Sequence, residues 1–171
     1  PALARGELDL VVTADPTPMS GIHYQPLFRY QALLAIANQD NLTDKKYIEA
    51  EDLAQQTLIH YPVERKRLDI FTQFLDPNCI EPSSTRQADL TLMIVQLVAS
   101  GRGVACLPNW ALQPYLDAGL ISSRPLGKKG IWPTLYAAIR EDQIDSSYMK
   151  DFLKQSLHSC NNNLVGIEPL K

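Results

Sequence analysis

The sequence lacks a long apolar run and a surplus of basic residues. Its 171 residues are 45% hydrophobic, yet no uninterrupted apolar stretch reaches the roughly 18 residues that a membrane-spanning helix requires. The formal net charge is -3, which leaves no basic excess to neutralise nucleic-acid phosphates. The composition therefore predicts a globular chain that does not enter a membrane, and it argues against DNA binding by this segment on its own.

Closely spaced cysteines are also missing. Cys79, Cys106 and Cys160 are odd in number and far apart, so they offer neither the paired spacing of a zinc site nor a thioredoxin-like motif. Residues 1–20 contain neither the charged region nor the apolar region of an export signal. The cysteine pattern predicts a protein of the reducing cytoplasm, to which the missing export signal adds little, because the sequence opens on Pro1 and not on Met.

No catalytic constellation is present in the sequence. It contains no nucleophile elbow, phosphate loop or helical zinc motif, and GRGVAC at residues 101–106 lacks the last glycine of a dinucleotide-binding turn. His23, His60 and His158 do not have metal-ligand spacing. Cys106 lies in an apolar stretch, which favours a buried packing residue over a nucleophile. We therefore predict no enzyme activity, no metal and no cofactor.

Hydrophobic periodicity predicts alternating strands and helices. Asp89 is a predicted N-cap and Gly101 a predicted end for the apolar helix between them. Alternation of this kind predicts an α/β protein with a parallel sheet and helices on both faces. The predicted strands are 8–13, 27–37, 57–61, 104–108 and 135–139, and the predicted helices are 49–56, 64–75, 90–100, 109–118 and 146–160.

A ligand site is expected outside the carboxyl ends of the strands, because helix N-termini with unpaired N–H groups point there in open α/β sheets. Residues 13–15, residues 61–64 and the turn ending at Asp89 have that position. A simpler interpretation of Asp89 and its neighbour in the first helical turn is that they only cap the helix. The predicted lining is Thr13, Asp15, Tyr61, Pro62, Val63, Asp89, Thr91 and Pro108.

Several local strings resemble the effector-binding domain of LysR-type transcription regulators. GELDLVVT at residues 6–13 resembles the family's G-x-L-D-L strand entry. EDL at 51–53 followed by TLI at 57–59 resembles its helix-to-strand step, and RLD at 67–69 with Phe71 resembles the helix after it. The most specific string is VASGRGVACLP at 98–108, which resembles the hallmark V-A-A-G-x-G-I-A-x-L-P and departs from it at Cys106.

Within that family, other strings look like its regulators of methionine biosynthesis. They are PALARGELDL at 1–10, HYPV at 60–63, PNW at 108–110 and LYAA at 135–138. The similarity extends to about Arg140, and Pro114 is a further departure from the pattern. The resemblance implies homocysteine as the small-molecule effector.

The resemblance also implies a two-lobed fold of the periplasmic-binding-protein-like type II, here lacking its first strand-helix-strand. Lobe one would comprise residues 1–37 and 135–160, lobe two residues 38–134, and residues 161–171 a flexible tail. The predicted crevice would then lie between the lobes. DNA would be bound through an N-terminal helix-turn-helix absent from this chain, and the regulator would be a homo-oligomer, either a dimer or a tetramer.

An amino-acid effector carries two opposite charges that the site must match. We expect its carboxylate at the start of the helix after residues 61–63, where the helix dipole favours an anion, with Arg67 or Arg65 assisting. We expect its ammonium at Asp15, with Asp89 or Glu64 as alternatives. The competing interpretations are that the arginines lie on a solvated helix face and that Asp15 only begins a turn before Pro16.

Two other function classes stay open at this point. A solute-binding receptor of a transport system can have the same fold, because fold does not determine function. An upstream signal peptide would favour that alternative, whereas an upstream helix-turn-helix would exclude it. A small α/β enzyme is the least supported class, because the catalytic constellation is missing.

Overall fold

The computed structural model describes residues 2–170 and divides the chain into two compact units. One unit combines the chain up to Tyr30 with the chain from Pro133, and the other is Gln31–Trp132. The strands are β1 (Leu10–Thr13), β2 (Ile22–Tyr30), β3 (Ala32–Ile36), β4 (Thr57–His60), β5 (Ser84–Gln87), β6 (Ala105–Pro108), β7 (Ser122–Pro125), β8 (Thr134–Arg140) and β9 (Ile167–Pro169). The helices are α1 (Thr91–Ala99), α2 (Asn109–Asp117) and α3 (Ser147–Asn163).

The first unit is an antiparallel sheet with the strand order β1-β8-β2-β9. Successive side chains of a strand point to opposite faces, and β8 buries residues on both. Ala138 packs with Leu3 and Ile22 on one face, while Ala137 and Ile139 pack with Met149 of α3 on the other. Helix α3 is therefore attached to the sheet through Met149 and, one turn later, through Leu153.

The second unit is built around β3, which lies between β6 and β7 in an antiparallel sheet. Alternate residues of β3 contribute to two separate cores. Leu34 and Ile36 pack with the apolar residues of a π-helical turn at Ile70–Leu75. Ala35 packs on the opposite face with Ile94, Val95 and Val98 of α1. The sheet of this unit is thus covered on both faces, as the alternating pattern predicted.

The prediction of a parallel sheet is largely wrong. Parallel pairing in the described residues is confined to β4 with β5 and to isolated bridges such as Leu58 with Val104. Leu58 of β4 and Val104, which directly precedes β6, lie before and after α1 in the chain. The strand-helix-strand prediction is therefore correct at this point of the chain. Elsewhere, neighbouring strands are joined by loops or by the chain returning from the other unit. β8 is antiparallel to both of its neighbours, β1 and β2.

The predicted lobe boundaries at residues 37/38 and 134/135 differ from those of the structure, which lie at 30/31 and 132/133. Residues 27–37 are not one strand. The chain leaves β2 at Tyr30, and β3 pairs only with strands of the second unit. The apolar run at residues 27–37 does not indicate where β2 ends and β3 begins, because both strands have buried apolar residues.

Three further segments differ from the prediction. Residues 49–56 and 64–75 do not form α-helices but short 3₁₀ turns, at Ala50–Leu53 and Arg65–Arg67, and the π-helical turn. The predicted flexible tail contains the end of α3 and the strand β9. Helix α2 forms with Pro114 inside it.

Among residues 2–170, no helix is both long and apolar enough to cross a membrane.

Candidate functional site

The carboxyl ends of β4 and β5 lie at the same edge of the second unit, because these two strands are parallel. The backbone N–H of Ala88 donates to the carbonyl oxygen of His60 over 3.0 Å, which holds the chain after β5 against the end of β4. The hydroxyl of Tyr61 lies 2.6 Å from the hydroxyl of Thr91, and both residues are partly buried. The structure therefore brings together two of the predicted site residues at the start of α1.

Helix α1 begins without a side-chain cap. Its N-cap is Leu90, which has extended backbone angles and whose carbonyl accepts the N–H of Ile94 over 3.0 Å. The predicted cap Asp89 lies one residue too early and is exposed, so that prediction is wrong. The first N–H groups of a helix have no partner within the helix. The start of α1 therefore presents backbone donors beside the Tyr61 and Thr91 hydroxyls.

The segment after Tyr61 does not provide the helix start that the sequence predicted. Val63 donates its N–H to the carbonyl of Tyr61 over 2.8 Å, and a single 3₁₀ turn follows, in which Arg67 donates to the carbonyl of Glu64 over 2.9 Å. Leu68 is again extended. Because the helix dipole grows with the number of aligned peptide units, a three-residue turn lacks the field that an anion site would need. The carboxylate site predicted here is therefore not supported.

The Arg65 side chain forms ion pairs with two carboxylates and a cation–π contact with an aromatic ring. Its guanidinium donates to Asp76 over 2.5 Å and to Glu81 over 2.6 Å, and its Cζ lies 4.0 Å from the centre of the Phe71 ring. The hydrogen bonds to Glu81 and then to Asp76 raise the pKa of Arg65. These contacts connect the 3₁₀ turn to the π-helical turn, which is a structural role. Arg67 and Glu64 are exposed, and Lys66 forms an ion pair with Glu64 over 2.7 Å.

Thr13 and Asp15 belong to the first unit, whereas all other predicted site residues belong to the second. Thr13 is the last residue of β1, and its hydroxyl accepts the N–H of Asp15 over 3.0 Å. The Asp15 carboxylate accepts the hydroxyl of Thr17 over 3.3 Å. This is the hydrogen-bonding pattern of a turn, so the turn interpretation of Asp15 is correct as far as local structure goes. A carboxylate in a turn can still bind a cation.

Pro108 ends β6 and directly precedes α2, and it pairs with Ala32 of β3. The next residue, Asn109, is missing from the predicted lining. It is only 6% exposed, which makes it a buried polar side chain at a helix start, and its N–H donates to the carbonyl of Gln31 over 2.9 Å. The sequence predicted Asn109 only as the first residue of a helix, and that position carries no signal of burial. Pro62 and Val63 follow Tyr61 directly, and Val63 donates its N–H back to the Tyr61 carbonyl.

The titratable residues set aside in the sequence do not form a reactive cluster. Burial, followed by the negative charge of Asp69, raises the pKa of the Cys106 thiol, so this group stays protonated. His23 and His158 lie in the first unit and His60 in the second. Within residues 2–170, no group of three or more His, Cys, Asp or Glu side chains could hold a metal ion.

Comparison with known proteins identifies the family. The family model described as the LysR substrate binding domain matches residues 1–161. The HTH-type transcriptional regulator MetR of Escherichia coli (strain K12) is 41% identical over 163 residues, which is 95% of this chain and 51% of the relative. MetR of Haemophilus influenzae is 33% identical over 162 residues, with 95% and 52% covered. The chain thus spans about half the length of the curated relatives it matches.

A solved structure agrees with this result. The regulatory domain of MetR, a LysR family regulator from N. meningitidis, has a TM-score of 0.87 and 36% identity over 99% of this chain and 78% of that one. The predicted fold, an α/β effector domain of the periplasmic-binding-protein-like type II, is therefore confirmed. The relatives are transcription regulators and not enzymes. The chain belongs to the LysR substrate-binding domain family and is an effector-binding domain of the MetR type.

Proposed function

We propose that the chain senses homocysteine for a LysR-type regulator of methionine biosynthesis. The observation that carries this proposal is the 41% identity to MetR of E. coli over 95% of the chain. It is supported by a donor-rich helix start in the second unit, where Tyr61 and Thr91 meet. A transport receptor, which the fold alone would allow, is not favoured, because the matched relatives are transcription regulators.

The carboxylate of the effector is proposed to bind at the start of α1. This helix has nine residues and no side-chain cap, so its first N–H groups and its dipole favour an anion. Beside it, one of the Tyr61 and Thr91 hydroxyls donates to the other, and the accepting hydroxyl keeps its own O–H for the carboxylate. The exposed Arg67 is proposed to assist, whereas Arg65 binds two carboxylates of this chain.

The ammonium of the effector is proposed to bind a carboxylate, with Asp15 as the first choice. Its Oδ1 accepts a hydroxyl from Thr17 at the long distance of 3.3 Å. Asp89 is the alternative within the second unit, where it is exposed two residues before Thr91. Glu64 is the least favoured, because Lys66 lies 2.7 Å from its carboxylate.

For the whole regulator we propose that effector binding alters an attached DNA-binding part. A ligand can shift a conformational equilibrium only by the difference between its affinities for the two states. An N-terminal helix-turn-helix and a dimer or tetramer would convert that shift into a change at the promoter. Cytoplasmic location agrees with this role.

Isothermal titration of the chain with homocysteine, methionine and cysteine tests the proposal. We expect homocysteine to bind more tightly than the other two amino acids. Norvaline is a matched control, because it has the same two charged groups and a methyl group in place of the thiol. If homocysteine and norvaline bind equally, or if neither binds, homocysteine is not the effector of this chain.

A further inference from the structure

The side chain of His60 is hydrogen-bonded to the backbone of the residue that follows it. Its Nδ1 lies 2.7 Å from the carbonyl oxygen of Tyr61. A carbonyl oxygen can only accept a hydrogen bond, so Nδ1 carries the hydrogen and donates it. The same oxygen accepts the N–H of Val63 over 2.8 Å. The Tyr61 carbonyl therefore connects the His60 imidazole to the backbone of residues 61–63.

The His60 ring packs against the ring of Phe71. The two ring planes are almost perpendicular, at 86°, with 6.1 Å between the ring centres, which is a favoured arrangement for aromatic pairs. Phe71 is 2% exposed and belongs to the core that covers one face of β3. The Arg65 guanidinium lies over the same Phe71 ring, with its Cζ 4.0 Å from the centre. The imidazole is thus packed against a buried side chain with little freedom to move.

The Tyr61 side chain lies on the opposite face of the sheet from these contacts. Successive side chains of a strand point to opposite faces, and Tyr61 packs with the core around α1, whereas Phe71 belongs to the other core. At α1 the Tyr61 hydroxyl lies 2.6 Å from the Thr91 hydroxyl. The His60 hydrogen bond on one face therefore restrains the backbone that directs the Tyr61 phenol on the other.

We propose that His60 is a positioning residue of the effector site, because its hydrogen bond to the Tyr61 carbonyl directs the Tyr61 hydroxyl to the start of α1. This inference rests on the proposed effector site at that helix start. His60 acts through Tyr61 and not by contact with the effector. A different side chain with a donor in the place of Nδ1 will therefore serve as well, whereas a side chain of the same shape without a donor will not.

Asparagine and leucine at position 60 separate this hydrogen bond from packing. The amide nitrogen of asparagine can take the place of Nδ1 and donate, whereas leucine has nearly the same shape and no donor. Both variants lose the ring contact with Phe71, so the difference between His60→Asn and His60→Leu reports the hydrogen bond. Thermal unfolding verifies that the variants fold. His60→Asp replaces the leucine variant if that chain does not fold, because an ionised carboxylate has no hydrogen to donate.

Isothermal titration with homocysteine gives the first result. We expect His60→Leu to raise the Kd roughly 2- to 12-fold and His60→Asn to keep the parent value. We also expect Tyr61→Phe to weaken binding less in the His60→Leu background than in the parent, because a misdirected hydroxyl contributes less. Equal affinities of the leucine and asparagine variants, or a full effect of Tyr61→Phe in the His60→Leu background, would overturn the proposal.

Hydrogen exchange of the Val63 amide without ligand gives the second result and separates this inference from the proposed function. We expect faster exchange in His60→Leu and parent exchange in His60→Asn. If homocysteine does not bind the parent chain, the proposed function fails, and the exchange comparison alone decides whether His60 orders this backbone. Parent exchange in His60→Leu would show that the hydrogen bond does not restrain residues 61–63, and the inference would then be wrong.

Discussion

Replacing Tyr61 by Phe removes one hydroxyl and leaves the ring in place, so it tests the contact between β4 and α1. The lost partner is the Thr91 hydroxyl at 2.6 Å in partly buried surroundings. A neutral hydrogen bond of this kind contributes about 0.5–1.5 kcal/mol to stability. For a chain of this size we expect Tm to fall by about 1–6 °C. If the hydroxyl also contacts the effector, the Kd for homocysteine rises roughly 2- to 12-fold.

Thermal unfolding and isothermal titration of Tyr61→Phe, Thr91→Val and the double variant measure these two effects. Because both single variants break the same hydrogen bond, the double variant should be less destabilised than the sum of the two. Tyr148→Phe is the control, since its hydroxyl bonds Gln143 at an exposed site in the first unit. Unchanged homocysteine affinity in both single variants, together with a lower Tm, would show that the hydroxyl pair is only structural and would refute the proposed carboxylate site.

Three further substitutions have defined expectations. Gly103→Ala should destabilise the second unit by about 1–3 kcal/mol or more, because φ is +147° and the added Cβ would overlap the Thr57 carbonyl oxygen. Chemical denaturation measures this loss, with Gly119→Ala as the control, since a Cβ added there has nothing within 4 Å. Asp15→Asn should weaken homocysteine binding roughly tenfold through the lost charge, and a change in stability alone would favour the turn interpretation. Arg67→Ala should lower homocysteine affinity, and an unchanged titration would remove this residue from the site.

Elements with strong periodicity were predictable from the sequence. Helix α1 lies within the predicted 90–100, and α3 extends the predicted 146–160 by three residues. The core strands β4, β6 and β8 all lie within or overlap predicted strands. In each case one set of apolar residues faces a core, although Leu92 and Met93 of α1 and Phe152 of α3 are exposed. For the core-facing residues, burial and local pattern specify the same structure.

Strands without an apolar pattern could not be predicted. β5 has the sequence STRQ with all four residues exposed, and it forms because it pairs with β4 and not because of its side chains. The polar strand β7 pairs with β3 in the same way. Residues 64–75 showed the opposite error, because apolar residues at helical spacing concealed an extended break at Leu68.

The candidate site was predictable only in part for the same reason. The argument from strand ends brought Tyr61 and Thr91 together correctly, since β4 and β5 are parallel. It placed the carboxylate at a helix start near residue 64 and not at the start of α1, whereas residues 65–67 form only a 3₁₀ turn that ends at the extended Leu68. The contacts of this turn with more distant residues, such as those of Arg65 with Asp76 and Glu81, are not visible in a local pattern.

Hydrogen exchange of the chain with and without homocysteine tests the central claim most directly. If the carboxylate of homocysteine binds the uncapped start of α1, the amides of residues 91–93 should exchange more slowly in its presence, as should those of Tyr61 and Val63 beside them. Norvaline, the sulfur-free control, should protect these amides less. Slower exchange confined to other parts of the chain, or none at saturating homocysteine, would contradict a homocysteine site at the start of α1.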